Sequence, residues 1–416
     1  MTGSVESNRK PAQISLDGRT LEGGGQLIRT AIALSALTGQ PLRIDHIRGK
    51  RGGGGGLKAQ HLACVRYLAQ ACNAETEGAE IKSQRLVFRP GHGLAVPPTY
   101  SKVKGLDGES VFETRIDIGS PGSISLTLQA VLPLILFCPP LVEGPQEERP
   151  IVRLTITGGT NVSNSPSLEY VEQVLLPTLS MIGLPAMQAS LDRRGWSTGQ
   201  TCIGSVTFSI PTLRKGEKLS AFKLRPPSET TECSLTHIRA TVLAPQSLQE
   251  HFRGALVSIL EQQLGPAFSN VGDGFDFTFE DSQHEKRIYL MLVATISQGD
   301  KQHKLGSDEL FGRQRCSDIG DHIVGMIRRV TSTLAAEIRS DALVDEHMVD
   351  QLIIFEALAK GKNDVRRGET EDGAERKQSL HADTIDWLTQ SMLGSDVKGG
   401  KGRGIGFVAG SNATGR

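Results

Sequence analysis

The sequence predicts an α+β fold of three similar βαβαββ-type units with a small inserted α+β domain. Short alternating apolar runs take turns with longer runs whose apolar residues recur at helical spacing. The same order of elements then returns along the 416 residues. One stretch, Phe222 to Gln302, breaks that order.

Gln13 to Asp17 reads as a short strand. Gly24 to Gly39 is helical, with Leu27, Ile28, Ala31, Ile32 and Leu34 at helical spacing. Pro41 to Ile47 alternates like a strand, and Leu57 to Cys72 is helical. Two strand-like runs follow, ending at Leu86-Val87-Phe88-Arg89. The grammar repeats with a strand at Thr114 to Ile118, a helix at Ser123 to Phe137 and a strand at Ile151 to Ile156. Ser167 to Ile182 is then helical, and Met187 to Ile210 gives strands. A third copy starts near Asp318, with helices over Asp318 to Ile338, Val344 to Ala359 and Ala382 to Met392. The interrupting stretch carries a strand (Thr236 to Leu243), an amphipathic helix (Leu248 to Leu264) and two strands (Phe275 to Glu280, Arg287 to Thr295). The division expected is therefore 1–221 for two units of a large domain, 222–302 for the insert, and 303–416 for the third unit. Asn363 to Lys377 reads as a mobile charged loop, and glycine-rich Lys398 to Arg416 as a fraying tail.

Lys and Arg together balance Asp and Glu at 46 each, so no global basic field draws in nucleic acid, and any RNA contact must be local. The six cysteines are scattered without a CxxC pair, which argues against a zinc site and against a secreted disulfide framework. Met1 to Lys10 is polar and lacks the apolar core of a signal peptide. Leu126 to Val142 is short for a membrane span and holds Gln129 and Pro133, so it reads as a buried helix. The expectation is a soluble intracellular protein, in nucleus or cytoplasm, with no membrane partner.

The chemistry-bearing residues begin with Glu22-Gly23-Gly24-Gly25-Gln26. Glycines at a strand-to-helix turn permit close ligand approach, and free helix N–H groups attract anions. A glutamate there suits an anion site when a divalent metal sits between, and otherwise caps a tight turn. The Gly-Lys-Ser/Thr of a Walker loop is missing. Arg48, Arg51 and Lys58 flank the glycine run 52–56 and precede Gln60-His61. Arginine forks grip phosphate bidentately, although without the Gln60-His61 pair the same run reads rather as a solvated flexible loop. Gln129 lies inside an apolar helix and needs partners, either in the core or on a ligand. Asp350 and Gln351 follow Val344-Asp345-Glu346-His347 on what is otherwise the polar face of a helix. His381 stands where a strand meets a helix. A lone histidine is often structural, but neutral imidazole is a good nucleophile near neutral pH and also leaves well from phosphorus.

In their order and spacing these stretches resemble the RNA 3′-terminal phosphate cyclase family. The match runs through Leu16-Asp17-Gly18, Glu22 to Arg29, Thr38-Gly39-Gln40-Pro41, Ile47-Arg48 to Gln60-His61, and Ser83-Gln84-Arg85-Leu86. It continues through Gly122-Ser123 to Pro133, Thr157 to Asn161, Val344 to Leu352, and Leu380-His381. The resemblance implies three units of two helices on a four-stranded sheet, plus a small inserted domain. It implies ATP-dependent conversion of an RNA 3′-phosphate to a 2′,3′-cyclic phosphate, through a histidyl-AMP on His381 and an RNA(3′)pp(5′)A anhydride. Gln129, Pro166, His347, Asp350, Gln351 and Gln26 would line the ATP pocket. Glu22 would hold Mg²⁺ or Mn²⁺, and Arg29, Arg48, Arg51, Gln60 and His61 would orient phosphates. Its partner would be RNA with a 3′-phosphate end. The sequence departs from the family at Gly195-Trp196-Ser197-Thr198-Gly199-Gln200 and after His381, where Ala382-Asp383-Thr384-Ile385 stands. The rival expectation is a non-catalytic cyclase-like relative acting in ribosomal RNA processing, although such relatives lack the nucleophile and the Glu-Gly-Gly-Gly-Gln site.

Overall fold

Short strands with one buried face and helices buried on nearly every side set the first sheet. It is built from β1 (Ile14–Asp17), α1 (Gly25–Thr38), β2 (Leu42–Asp45), α2 (Ala59–Ala71), β3 (Glu75–Glu77) and β4 (Leu86–Arg89). The strand order is β1-β2-β4-β3. The α1 crossover makes β1 and β2 parallel, whereas β4 runs antiparallel to both of its neighbours. This computed structural model describes residues 12–52, 54–91, 97, 99–105, 109–141, 149–225, 233–312, 318–398 and 400–411.

The same connections recur in the next sheet, from β5 (Ser101–Lys104), β6 (Ser110–Asp117), α3 (Ile124–Phe137), β7 (Ile151–Gly158), α4 (Leu168–Tyr170), α5 (Leu176–Met181), β8 (Gln188–Arg193) and β9 (Gly204–Pro211). Its order is β5-β6-β7-β9-β8, so β5 adds an edge strand to the earlier pattern. The single helix expected over 167–182 is divided by a π turn at Val171–Leu175. Helix α3 is buried along most of its surface, as its near-continuous apolar sequence requires. No helix among the described residues is long and apolar enough to cross a membrane.

Strand β10 (Lys223–Leu224) comes next, and then the inserted module: β11 (Ser234–Ala244), α6 (Gln249–Leu264), α7 (Pro266–Ser269), β12 (Phe275–Asp281), β13 (Tyr289–Gln298), β14 (Lys301–Leu310) and α8 (Ile319–Arg339). The chain then completes the sheet begun by β10 with α9 (Glu346–Leu358), β15 (Lys360–Val365), α10 (Leu380–Leu393), β16 (Asp396–Lys398) and β17 (Lys401–Ile405). That sheet has the order β10-β15-β17-β16, and β10 pairs parallel with β15.

The insert's limits therefore differ from 222–302 at both ends. Phe222 and Leu224 are buried in the main core, and β10 is too short to read as a strand from sequence. Helix α8, expected in the third unit, buries Ile323, Met326, Ile327, Val330 and Leu334 in the module's own core beside α6. An amphipathic stripe announces a buried face without saying which sheet it covers. Within the β12-β11-β13-β14 sheet, strand β13 is buried on both faces. Leu290, Leu292 and Ala294 point into the module core, and Tyr289, Met291 and Val293 into the main core. That is why β13 reads as an unbroken apolar run.

Two other expectations change. The segment 363–377 is tied down rather than loose. The Asn363 amide bonds Glu356 O at 2.9 Å, Arg376 pairs with Glu337, and Lys401 reaches Glu375 at 2.9 Å. The described part of the tail is also tied to the body. β17 pairs with β15, Gly410 N–H donates to Phe137 O at 2.8 Å, and Phe407 packs edge-on against Phe137. Residues 412–416 lie outside the described residues.

If α8 completes the module core, Leu334→Ala should lower the stability to urea by about 3 kcal/mol, the cost of a cavity at a fully buried leucine. A loss below about 0.5 kcal/mol, as at a surface site, would contradict this placement.

Candidate active site

The β1–α1 turn is where the chemistry gathers. Leu21 and Gly23 both take positive φ, which folds the Glu22 carboxylate back onto the start of α1. Glu22 Oε2 accepts the Gly24 N–H at 3.1 Å, and Arg51 pairs with Oε1. The Glu22 side chain is only 7% exposed, so it would be costly to bury without that partner. The Glu22 N–H donates to Thr384 Oγ1 at 3.3 Å, which locks the turn against α10.

In the first turn of α1, the Gln26 amide joins two distant helices. Its Nε2 donates to Asp350 Oδ2 on α9 at 2.8 Å, and its Oε1 lies 2.7 Å from His381 Nδ1 on α10. Gln351 donates to the other oxygen of Asp350. Two amide donors on one carboxylate suit the ionised form, which only accepts. Gln26 Oε1 is then an acceptor, so His381 Nδ1 carries the proton and Nε2 keeps a bare lone pair. Burial pushes the Asp350 carboxyl above its usual range, opposed by the two amides and by the neighbouring histidines. His381 is not at a strand-to-helix junction. It sits in the first turn of α10, which Ser379 caps by accepting the Ala382 N–H at 3.2 Å. Its side chain is 53% exposed and lies 3.9 Å from Glu22 Oε1.

Cations crowd the other side of α1. Lys58 N–H donates to His61 Nδ1 at 3.2 Å, so the Nε2 of neutral His61 bears the proton. Burial, with Arg29, Arg48 and Lys58 nearby, holds that imidazole well below its ordinary range and therefore neutral. Arg48, then burial, then Arg51 lower the Lys58 ammonium, and burial lowers both Arg29 and Arg48. Among the described residues Arg29 and Arg48 have no carboxylate in ion-pair contact. The excess positive charge gathers near the start of α1, where Glu22 accepts only the Gly24 N–H and no acidic side chain occupies the first turn. Such an arrangement binds anions. Gln60 Oε1 accepts the Ser123 N–H at 3.1 Å and brings the start of α3 to the same place. Gly54, Gly55 and Gly56 all have positive φ, and Gly56 N–H donates to Ile47 O at 2.7 Å. Gly53 lies outside the described residues.

His347 stands one helical turn before Asp350 and Gln351. Its ring packs edge-on to Tyr170, with centroids 6.4 Å apart. Burial opposes its charge, but Asp345, Asp308, Asp350 and Glu346 outweigh that and raise its pKa. Gln129 Nε2 on α3 is buried with no partner among the described residues. An orphaned amide donor of this kind fits a ligand acceptor.

Direct contacts thus bring together Glu22, Gln26, Arg51, Asp350, Gln351 and His381, with Arg29, Arg48, Gln60 and His61 adjoining. Gln129 and Pro166 make no bond to that cluster among the described residues. The sequence reading missed Thr384, whose signal was its place three residues after His381 on one helix face. It also missed Asp308, Tyr170 and Tyr289, which carry no local signal. Among the described residues no group of three or more His, Cys, Asp or Glu could hold a metal. Glu22 is a single carboxylate beside these cations, which suits an ion that takes its remaining ligands from a bound anion and not from the protein.

A methyl on Gly25 would lie 2.5 Å from His61 Nε2 and 2.9 Å from an Arg29 guanidinium nitrogen. Gly25→Ala should therefore lower the melting temperature, although alanine is the better helix former. A rise in melting temperature would show that the contact is not tight.

Against known proteins, the sequence model of the RNA 3′-terminal phosphate cyclase family matches residues 20–398. The chain is 32% identical over 388 residues to the RNA 3′-terminal phosphate cyclase of Nitrosospira multiformis, covering 91% of each chain. It is 34% identical over 356 residues to that of Caldivirga maquilingensis, covering 84% of this chain and 86% of the relative. With the protein of the same name from Pyrococcus furiosus it shares 29% identity over 402 residues, 94% of this chain and 96% of the other. The chain belongs to the RNA 3′-terminal phosphate cyclase family, an enzyme family.

Proposed function

We propose that the chain converts an RNA 3′-terminal phosphate to a 2′,3′-cyclic phosphate at the expense of ATP, with His381 as nucleophile. The observation that carries this reading is the chain of contacts from Asp350 through Gln26 to His381 Nδ1, which leaves Nε2 unprotonated on a ring whose Nδ1 lies 3.9 Å from Glu22 Oε1. The Nε2 lone pair attacks the α-phosphorus of ATP. An N–P bond forms as the bond to pyrophosphate breaks, and the imidazolium proton stays on Nδ1, where Gln26 Oε1 accepts it. An oxygen of the RNA 3′-phosphate then takes the adenylyl group and releases neutral His381. The ribose 2′-hydroxyl, losing its proton, closes on the RNA phosphorus and expels AMP. Activation is needed because an unactivated phosphate dianion lacks a good leaving group.

The residues divide by chemistry. Arg29, Arg48, Arg51 and the Nε2–H of His61 supply positive charge and donors to phosphate oxygens, and Gln60 holds the start of α3 against them. Neutral His61 donates without competing as a base. Gln129 offers its unpartnered amide. Pro166 and His347 would flank the base, with Asp350 and Gln351 at its polar edge. Mg²⁺ or Mn²⁺ held by Glu22 would neutralise triphosphate charge.

Incubation with ATP labelled at the α-phosphorus and a divalent metal should label the wild-type chain through an acid-labile, alkali-stable bond. His381→Ala should stay folded and take no label. Covalent AMP retained on the His381→Ala chain would overturn the assignment.

A further inference from the structure

A buried hydrogen-bonded network outside the catalytic cluster ties the inserted module to the surroundings of His347. On β13, Tyr289 donates its hydroxyl to Asp308 Oδ2 on β14 at 2.8 Å. Having one proton, it can only accept from Ser167, whose Oγ lies 2.6 Å away. Ser167 follows Pro166, and its Oγ also accepts the Tyr170 N–H at 3.0 Å, capping α4. A second link runs in parallel. Asp345 accepts the Tyr170 hydroxyl at 2.7 Å and the Gly306 N–H of β14 at 2.8 Å, and it caps α9 through the Met348 N–H at 2.9 Å. Ser167, Tyr170, Tyr289 and Asp345 are each buried to 2% exposure or less. Burial and neighbouring carboxylates hold both phenols well above their ordinary range, so both remain donors. The hairpin β13–β14 is thus bonded at once to the Pro166-Ser167 turn and to the start of the helix that carries His347.

We propose that Tyr289 is a positioning residue. Its hydroxyl, supplied by the inserted module, sets the separation of Pro166 from His347 and so the fit of the nucleotide base between them. This rests on the ATP reading above. Replacing Tyr289 by Phe removes the hydroxyl that accepts from Ser167 and donates to Asp308, while the ring still fills its place in the core. The base wall then loosens, whereas His381, Gln26 and Asp350 keep their contacts. Affinity falls and chemistry does not.

Self-labelling from α-labelled ATP, measured against ATP concentration in the full chain, tests this. Tyr289→Phe and Ser167→Ala should each raise the KM for ATP about three- to tenfold, the loss expected of a buried hydrogen bond. The maximal rate should change by less than about twofold. The double variant should be no worse than the weaker single one, because both remove the same link. Arg253→Ala, which removes a cation–π contact to Phe277 inside the module, should leave both constants unchanged. An unaltered KM in folded Tyr289→Phe overturns the proposal. So does a fall in maximal rate at constant KM, or a double variant whose losses multiply. A wild-type chain that takes no label refutes the ATP reading and this inference with it; a labelled wild type with an unaltered Tyr289→Phe refutes the inference alone.

Discussion

The Gln26 side chain is the interaction on which the site depends. One amide spans 324 residues to Asp350 and 355 residues to His381. It joins α1, α9 and α10 into a single arrangement. The two ends of the amide differ, one donating and one accepting, so it transmits a direction as well as a position. Ionised Asp350 fixes the nitrogen end, the oxygen end fixes the Nδ1 proton, and the other imidazole nitrogen is left free. A carboxylate touching the histidine directly would orient it too, but would also raise its basicity and favour the imidazolium. The neutral amide holds the tautomer without adding a formal charge to the ring. Thr384 and Ser379 complete the support, the first by anchoring the Glu22 turn and the second by capping the helix that bears the nucleophile.

Charge explains the rest of the geometry. Arg48 and Arg51 both repel Lys58, burial strips water from Arg29, Arg48 and Lys58, and among the described residues only Arg51 of these four has a carboxylate partner in contact, Glu22. An anion with several oxygens relieves both costs at once. The start of α1, with no acidic side chain in its first turn, points the same way. His61 escapes becoming a further cation because it is buried among them, and its Nδ1 is occupied by a backbone N–H. The glycines serve this crowding. Gly25 leaves room for His61 and Arg29, and Gly56, with positive φ, passes so close to Lys82 O that a methyl there would lie 2.4 Å from it.

Much of this was legible in the sequence because it is local. The Glu22 to Gln26 turn and the spacing of Asp350 and Gln351 after His347 are patterns within a helical turn or two. The helices around the site fell close to their expected ranges for the same reason. What stayed hidden was long-range. Nothing in Lys223-Leu224 announces that two residues open a sheet completed from residue 360 onward. Nothing in the α8 stripe says that it covers the insert rather than the third unit. The Ser167–Tyr289–Asp308 link joins residues on three separate elements, and its tyrosine reads as one more apolar position in a buried strand. The anchoring of the tail was missed because glycine composition suggested freedom, whereas Gly404 is packed so closely on the α9 carbonyls that a methyl there would lie 2.2 Å from Glu356 O.

The nitrogen-15 shifts of the His381 imidazole, read at neutral pH in the full chain and in Gln26→Ala, test the relay most directly. A protonated Nδ1 with a pyridine-type Nε2 in the wild type, lost to a mixture of tautomers in Gln26→Ala, is the expected result. A wild-type ring protonated on Nε2, or a tautomer indifferent to Gln26, would contradict it.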